Sequence, residues 1–287
     1  MGASEEARSG LSGSQSVDRA LQLLALVGRE PAGGLPLADI VAGSGLNKPT
    51  ARRLLLALMR AGLIEQEPQT RHYCLGEEAF VLGVLAARRH GLLELAMESL
   101  RRLAAVSMDT SFLSVRRDNY CVCLHREEGT YPVRTHALQT GDQHPLGVGA
   151  GSLALLAVMP DDDVDRIMAA NAPVLTTRYP GFAPEVIRAD LAAARQRGFA
   201  LNPGRLVASS WGIGMAFRYP DGRVAGALSL AAIDSRMGPE RQQELAAHLR
   251  AEAAAMERRL SEMFGPGRTV AGRGGRPVAA AVEARRV

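Results

Sequence analysis

Three stretches of this 287-residue chain hold side chains that could do chemistry. The first, "CVCLH", sets Cys121, Cys123 and His125 at alternate positions, which gathers them on one face of a β-strand. Cysteine and histidine are zinc ligands. Alternate strand residues, however, stand about 6.6 Å apart, while zinc ligands all lie about 2.0–2.3 Å from one ion. The three cannot bind together on an unbent strand, so small cysteines packed on a sheet are the expectation and no metal or other cofactor is implied. The second stretch, "GVGAGS" at 147–152, has neither the GxxxxGKS/T of a phosphate loop nor the G-x-G-x-x-G of a dinucleotide turn. It also lacks the G-x-S-x-G elbow of a serine hydrolase, and His136 and His144 have no obvious partners for acid–base work. Two readings stay open: a helix start packed closely on a sheet, or a helix N-terminus whose free N–H groups receive a small anion. The third stretch is "NKPTARR", where Lys48, the chain's one lysine, stands near Thr50, Arg52 and Arg53.

Those cations matter only through their placement. The net charge is +4, but residues 265–287 carry five arginines against one glutamate, so residues 1–264 sum to zero. Residues 14–75 hold seven Lys/Arg against five Asp/Glu, a net of only +2. A hydrophobic content of 47% with 22% charged residues is that of a globular protein with a real core. The opening residues lack the apolar run of a secretory signal, and Glu6 stands where myristoylation needs Ser or Thr. The longest apolar run, 79–87, is about half a bilayer span, and three cysteines are an odd, sparse set. A cytoplasmic protein without a membrane partner is expected.

The elements that must position the third stretch are legible. Ser16 as N-cap and Asp18 in the first turn open a helix with Val17, Ala20, Leu21, Leu24 and Val27 at helical spacing. A short helix over 37–42 and a "GSGL" turn follow. Asn47 then caps a third helix with Pro49 in its first turn. At 100° per residue Ala51, Leu54, Leu55 and Leu58 share one face. Pro49, Arg53, Leu56 and Arg60 take the other, with Thr50 and Arg52 on its flanks. Residues 63–66 and 71–75 read as strands around "EPQT". This order is a winged helix-turn-helix. Lys48, Pro49, Thr50, Arg52 and Arg53 are the expected DNA-facing residues of the third helix, and Arg71 and Tyr73, beside His72, the wing's phosphate anchors.

Beyond Gly76 a connector helix carries Phe80, Val81, Val84 and Leu85, and a helix over 92–106 follows it. Strands are expected in "SFLSV", "YCVCLH" and "YPVRTHAL", and helices over 149–158, 161–170 and 184–197. "GIGMAFRYPDGRVAGALSLAA" is a hairpin turning at Pro220-Asp221-Gly222, and 239–263 is a last amphipathic helix. The fold class is α+β around an antiparallel sheet. The expected division is 1–13 outside the folded body, 14–76 winged helix, 77–90 connector, 91–264 second domain and 265–287 an Arg/Gly-rich tail.

"SQSVDRALQLL", "LADIVAGSGLNKPTARRLLLALMRAGLIEQ", "RHYCLG", "HPLGVGAGSLALLA", "RGFALN" and "PDGRVAGALSLAAIDSRM" together resemble the IclR family of bacterial transcriptional regulators, over roughly residues 14–264. The resemblance implies a GAF-like small-molecule sensor in the second domain, with the effector at Gly149 and Ala150. It also implies that the acid, cysteine and two serines that hold small keto acids in some members correspond here to Asn202, Gly212, Ser229 and Ala231. Three of the four have changed type. A pocket stripped of polar partners should favour a larger or less polar acid, such as a carboxylate on an aromatic body. A single winged helix buries little surface, so a two-fold dimer on an inverted-repeat operator is expected, and the family pairs dimers into tetramers. A metabolite sensor whose winged helix contacts protein, and an enzyme of small organic acids, are the alternatives. The outward arginines separate the first of these from a DNA reader.

Overall fold

The computed structural model describes residues 12–29, 33–133 and 138–264. The N-terminal unit packs α1 (Ser12–Val27), α2 (Leu37–Ser44) and α3 (Lys48–Arg60) beside a hairpin of β1 (Ile64–Gln66) and β2 (Tyr73–Leu75). Its core is Leu23, Val27, Ile40, Ala51, Leu54, Leu55, Leu58, Ile64 and Tyr73. Asn47 caps α3 as its sequence predicts, accepting the Thr50 N–H at 2.9 Å. Ser16 does not cap α1, which already runs from Ser12, so the acidic first-turn signal at Asp18 lies inside the helix. The hairpin gains a third partner that periodicity does not reveal: Leu35 and Tyr73 exchange both backbone hydrogen bonds, at 3.0 and 2.8 Å.

A connector, α4 (Glu77–His90), leads to α5 (Leu92–Ser107) and a six-stranded antiparallel sheet ordered β5-β4-β3-β8-β7-β6. The strands are β3 (Thr110–Arg117), β4 (Tyr120–Glu127), β5 (Gln143–Pro145), β6 (Ala200–Pro203), β7 (Ser210–Arg218) and β8 (Val224–Ile233). Alternation assigns their faces. Leu113, Ile213, Phe217, Leu228 and Leu230 pack against α5 and the last helix, α9 (Pro239–Phe264). The other face receives α6 (Ala150–Ala157), α7 (Asp161–Arg178) and α8 (Pro184–Arg197) around Leu146, Leu153, Leu156, Ile167 and Leu191.

The expected strand "YPVRTHAL" is not found among its described residues. Residues 131–133 take no strand conformation, 134–137 lie outside the described residues, and the edge strand is instead the three-residue β5. A Cβ on Gly129 would stand 2.2 Å from the Met108 carbonyl oxygen, which accepts the Tyr131 N–H at 2.8 Å, so the chain there crosses a neighbouring backbone closely without forming a ladder. The helix expected over 161–170 continues to Arg178 with Pro173 inside it. The strand β6 also went unpredicted as a strand. His136, most of 1–13 and the tail 265–287 lie outside the described residues. No helix among the described residues is long and apolar enough to cross a membrane.

Candidate effector pocket and DNA-binding face

The helix α6 is the centre of the second domain. Every residue from Ala150 to Leu156 is buried, and the sheet admits the helix by presenting its smallest side chains: Gly212, Gly214 and Ala216 on β7, with Ala227 and Ser229 on β8. A Cβ on Gly214 would lie 2.7 Å from the Ala150 carbonyl oxygen, and one on Gly151 3.2 Å from the hydroxyls of both Ser114 and Ser229. Gly149 precedes the helix at φ +85°, a conformation other residues rarely adopt, and no side chain caps the first helical N–H groups, which as in any helix lack intrahelical acceptors. Those donors and the positive end of the helix dipole face a cavity of about 60 Å³ between α6 and the sheet.

All six positions expected to hold effector line this cavity: Gly149, Ala150, Asn202, Gly212, Ser229 and Ala231. Sheet register explains why residues so far apart meet. Asn202 pairs with Gly212, Gly212 with Ala231, and Gly214 with Ser229, so the four strand positions form one patch of the lattice. Two expectations about the pocket need correction. The room that lost side chains should leave is absent, because β7 and α6 have closed up: a Cβ on Gly212 would stand 3.1 Å from that of Ala150. Nor is the lining stripped of polar groups. Ser114, Cys121, Cys123, His144, Ser152 and Ser210 also border it, outside the four positions that correspond to the keto-acid ligands.

Ser152 is already committed, accepting the Gly147 N–H at 3.0 Å and donating to the Pro145 carbonyl at 3.2 Å. His144 does have a partner, the Tyr179 hydroxyl, 3.1 Å from Nδ1. Burial lowers its pKa, against an upward pull from Asp142, and keeps the ring neutral near pH 7. Among the described residues its Nε2 and the Oδ1 of Asn202 are buried without a hydrogen-bond partner. Cys121 and Cys123 do pack on the sheet, and they form part of the pocket wall; burial pushes both thiols up to about 12. No group of three His, Cys, Asp or Glu among the described residues could hold a metal.

A larger cleft, of about 1490 Å³, opens at the opposite, C-terminal end of α6. Two of the five arginines that line it bond to the end of α6: Arg195 donates to the carbonyls of Ala157 and Met159, and Arg218 to that of Val158. Those two contacts set positive charge at the negative end of the helix dipole.

On the N-terminal unit, Lys48, Pro49, Arg52, Arg53, Leu56 and Arg60 are exposed on α3, with Thr50 half-buried. Arg71 is exposed at the wing turn with φ 60°, a left-handed conformation that costs a non-glycine residue about 1–2 kcal/mol. Tyr73 cannot anchor DNA with its ring, which is 6% exposed and part of the core. It sits two residues past Arg71, on the strand face that pairs with Leu35 and looks inward. His72 bonds the Gly33 carbonyl through Nδ1 at 2.8 Å and so fixes the wing to the loop before α2.

The two units touch. Gln143 donates to the Gly28 carbonyl at 3.2 Å, and Arg29 lies 5.3 Å over the ring of Tyr120. On β4 and β5 those residues are the immediate neighbours of Cys121 and His144, which pair with each other and face the cavity. Nothing in the sequence signals this contact, because it depends on how the sheet edge meets the end of α1.

Comparison with known proteins matches this geometry. Residues 16–68 fit the IclR helix-turn-helix domain and 84–258 the bacterial transcriptional regulator IclR C-terminal domain. The transcriptional repressor IclR of Escherichia coli is 25% identical over 190 residues, 66% of this chain and 69% of that protein. The regulator BhcR of Paracoccus denitrificans is 30% identical over 190 residues, 66% and 67% of the two chains. The crystal structure of an IclR regulator from a Silicibacter species superposes with a TM-score of 0.74 at 28% identity, over 85% of this chain and 96% of that one. An IclR homologue from Microbacterium hydrocarbonoxydans, complexed with 4-hydroxybenzoate, shares the fold at a TM-score of 0.66 and 21% identity, over 86% and 99% of the two chains. With both domains matched in order, and the helix-turn-helix joined to a sensor sheet built around α6, the chain belongs to the IclR family of bacterial transcriptional regulators.

Proposed function

We propose that the protein binds an inverted-repeat operator as a two-fold dimer and that a small organic acid in the α6 pocket alters this binding. The observation that carries the effector reading is the N-terminus of α6, whose first N–H groups and dipole face a cavity bordered by apolar Phe112 and Val148. A carboxylate is the group such an end receives. The apolar walls favour an aromatic or branched body over pyruvate or glyoxylate. Because about 60 Å³ holds only a few waters, such a body enters by parting the rim at Leu138, Leu206 and Trp211.

Lys48, Thr50, Arg52 and Arg53 dock α3 in the major groove, with Pro49 pre-setting its first turn and Arg71 reaching phosphate from the wing. The dimer surface is the apolar stripe of Phe80, Val81, Leu82, Val84 and Leu85 on α4, all exposed in one chain. A 14-residue helix with that face in water is marginal on its own. Coupling runs through two routes, α4 and the direct contact of Gln143 and Tyr120 with Gly28 and Arg29, both of which move if the cavity parts. The reading places the protein with the chromosome in the bacterial cytoplasm.

The test measures operator DNA binding by fluorescence anisotropy with and without benzoate, 4-hydroxybenzoate, pyruvate and glyoxylate. An aromatic acid should shift the apparent Kd about fivefold or more, the usual scale of allosteric coupling, and Gln143→Ala should shrink that shift. A shift by pyruvate or glyoxylate with none by either aromatic acid would overturn the assignment of the body.

A further inference from the structure

We infer that His144 selects the effector: its Nε2 hydrogen-bonds a hydroxyl on the acid whose carboxylate sits at the N-terminus of α6, so that the protein responds to hydroxylated acids over their plain counterparts. The inference rests on the carboxylate reading above.

Its ground is an imbalance in the cavity. A domain this well packed pairs its buried polar groups, and leaving one unpaired is costly. Here two polar atoms in one small cavity have no partner among the described residues, His144 Nε2 and Asn202 Oδ1. They stand on the two edge strands of the sheet, β5 and β6, with the start of α6 between them. Asn202 is 8% exposed and pairs in register with Gly212, so no side chain on its neighbour strand can satisfy it. His144 is fixed by the Tyr179 hydroxyl at Nδ1, and by the edge-on packing of the two rings at 5.8 Å. Its second nitrogen is thus held buried, on a residue of the cavity wall, rather than free to turn to solvent.

The chemistry of those atoms specifies the ligand. If Tyr179 donates to Nδ1, Nε2 carries a hydrogen and needs an acceptor; if Tyr179 accepts, Nε2 is itself an acceptor. A hydroxyl satisfies either tautomer, whereas an ether oxygen or a second carboxylate satisfies one. Asn202 Oδ1 accepts only, and a hydroxyl or ammonium on the ligand suits it. A carboxylate alone would serve the helix and leave both atoms unpaired. Hydroxy acids are therefore the class that satisfies both the helix and His144. His144 also follows Gln143, the residue bonded to Gly28, so the selecting contact lies on the same three-residue strand that touches the DNA-binding unit.

Trp211 is the chain's one tryptophan and borders the cavity, so its fluorescence reports occupancy directly. The experiment titrates full-length wild type, His144→Leu and His144→Gln with two matched pairs, benzoate against 4-hydroxybenzoate and propionate against lactate. Circular dichroism checks that each variant is folded. Wild type should bind a hydroxylated member about tenfold or more tighter than its partner. His144→Leu should lose that preference while still binding the plain acid, and His144→Gln, which keeps a donor and an acceptor, should retain part of it. Equal binding of both members by wild type, or a preference that survives in His144→Leu, would overturn the role of His144 and leave the carboxylate reading standing. Absence of any acid-dependent change in wild type would remove the carboxylate reading, and this inference with it.

Discussion

Replacing Gly214 by alanine tests the packing that creates the pocket. The added Cβ would lie 2.7 Å from the Ala150 carbonyl oxygen, 2.9 Å from its carbon and 3.1 Å from the Gly151 nitrogen. Ordinary contact begins at 3.4 Å, so α6 or β7 must yield by 0.7 Å at the closest atom. All three atoms are backbone, and no rotamer change can relieve them. Overpacking of this kind costs about 1–3 kcal/mol. At roughly 2–4 °C per kcal/mol for a domain of this size, the second domain should melt about 2–12 °C lower. Gly212→Ala is the control. Its Cβ would stand 3.1 Å from that of Ala150 and 3.7 Å from the Leu230 carbonyl oxygen, so the cost should be smaller than for Gly214→Ala. Differential scanning calorimetry of the two variants reads the contrast, and Trp211 fluorescence reads whether the displaced helix start still receives an acid. If Gly214→Ala melts with wild type, or Gly212→Ala is the worse of the two, the close seat of α6 on the sheet is wrong.

Three further outcomes follow from the same structure. Arg71→Gly removes a left-handed arginine, so the N-terminal unit should lose no stability while DNA affinity falls and the salt slope shrinks by about 0.9 per subunit; a destabilised variant with an unchanged slope would contradict a phosphate contact. Burial pushes the thiols of Cys121 and Cys123 to about 12, so at pH 8 both stay protonated and iodoacetamide should label Cys74 first, itself slowed by burial and by Glu65 and Glu67. The sign of the linkage follows: raised thiol pKa values stabilise the fold below the unfolded value near 8.5, and that contribution is lost as pH climbs toward 12. Equal labelling of all three thiols, read by peptide mass spectrometry, would refute the buried pocket wall. Phe80→Glu places a charge in the exposed stripe of α4 and should shift the protein toward monomer in sedimentation velocity; an unchanged sedimentation coefficient would move the dimer contact elsewhere.

Legibility in the sequence followed the range of the interactions. The helix α3 is local in every respect: Asn47 caps it, Pro49 starts it and its apolar residues recur at 3.6, so its bounds and both faces can be read directly. The hairpin of β7 and β8 is likewise marked by Pro220-Asp221-Gly222. Tyr73 misled because a three-residue strand has too few positions to show which face is inward; the partner that buries it, Leu35, is distant in sequence. His144 was passed over because its significance depends on Tyr179, 35 residues away, and on a strand of only three residues. The effector positions came from family resemblance rather than periodicity, and only register showed that Asn202, Gly212 and Ala231 form one row. The pocket's size was unreadable for the same reason, since it is set by how nearly glycine lets a helix approach a sheet.

The central claim is that the outward face of α3 reads DNA. Fluorescence anisotropy on DNA from the region upstream of the gene, across a salt series, with wild type and Arg52→Ala/Arg53→Ala, tests it most directly. Tight, sequence-selective binding in wild type that weakens by about tenfold or more in the double variant is the predicted result. Weak binding indifferent to sequence and to both substitutions would contradict it, and would turn the winged helix into a surface for protein.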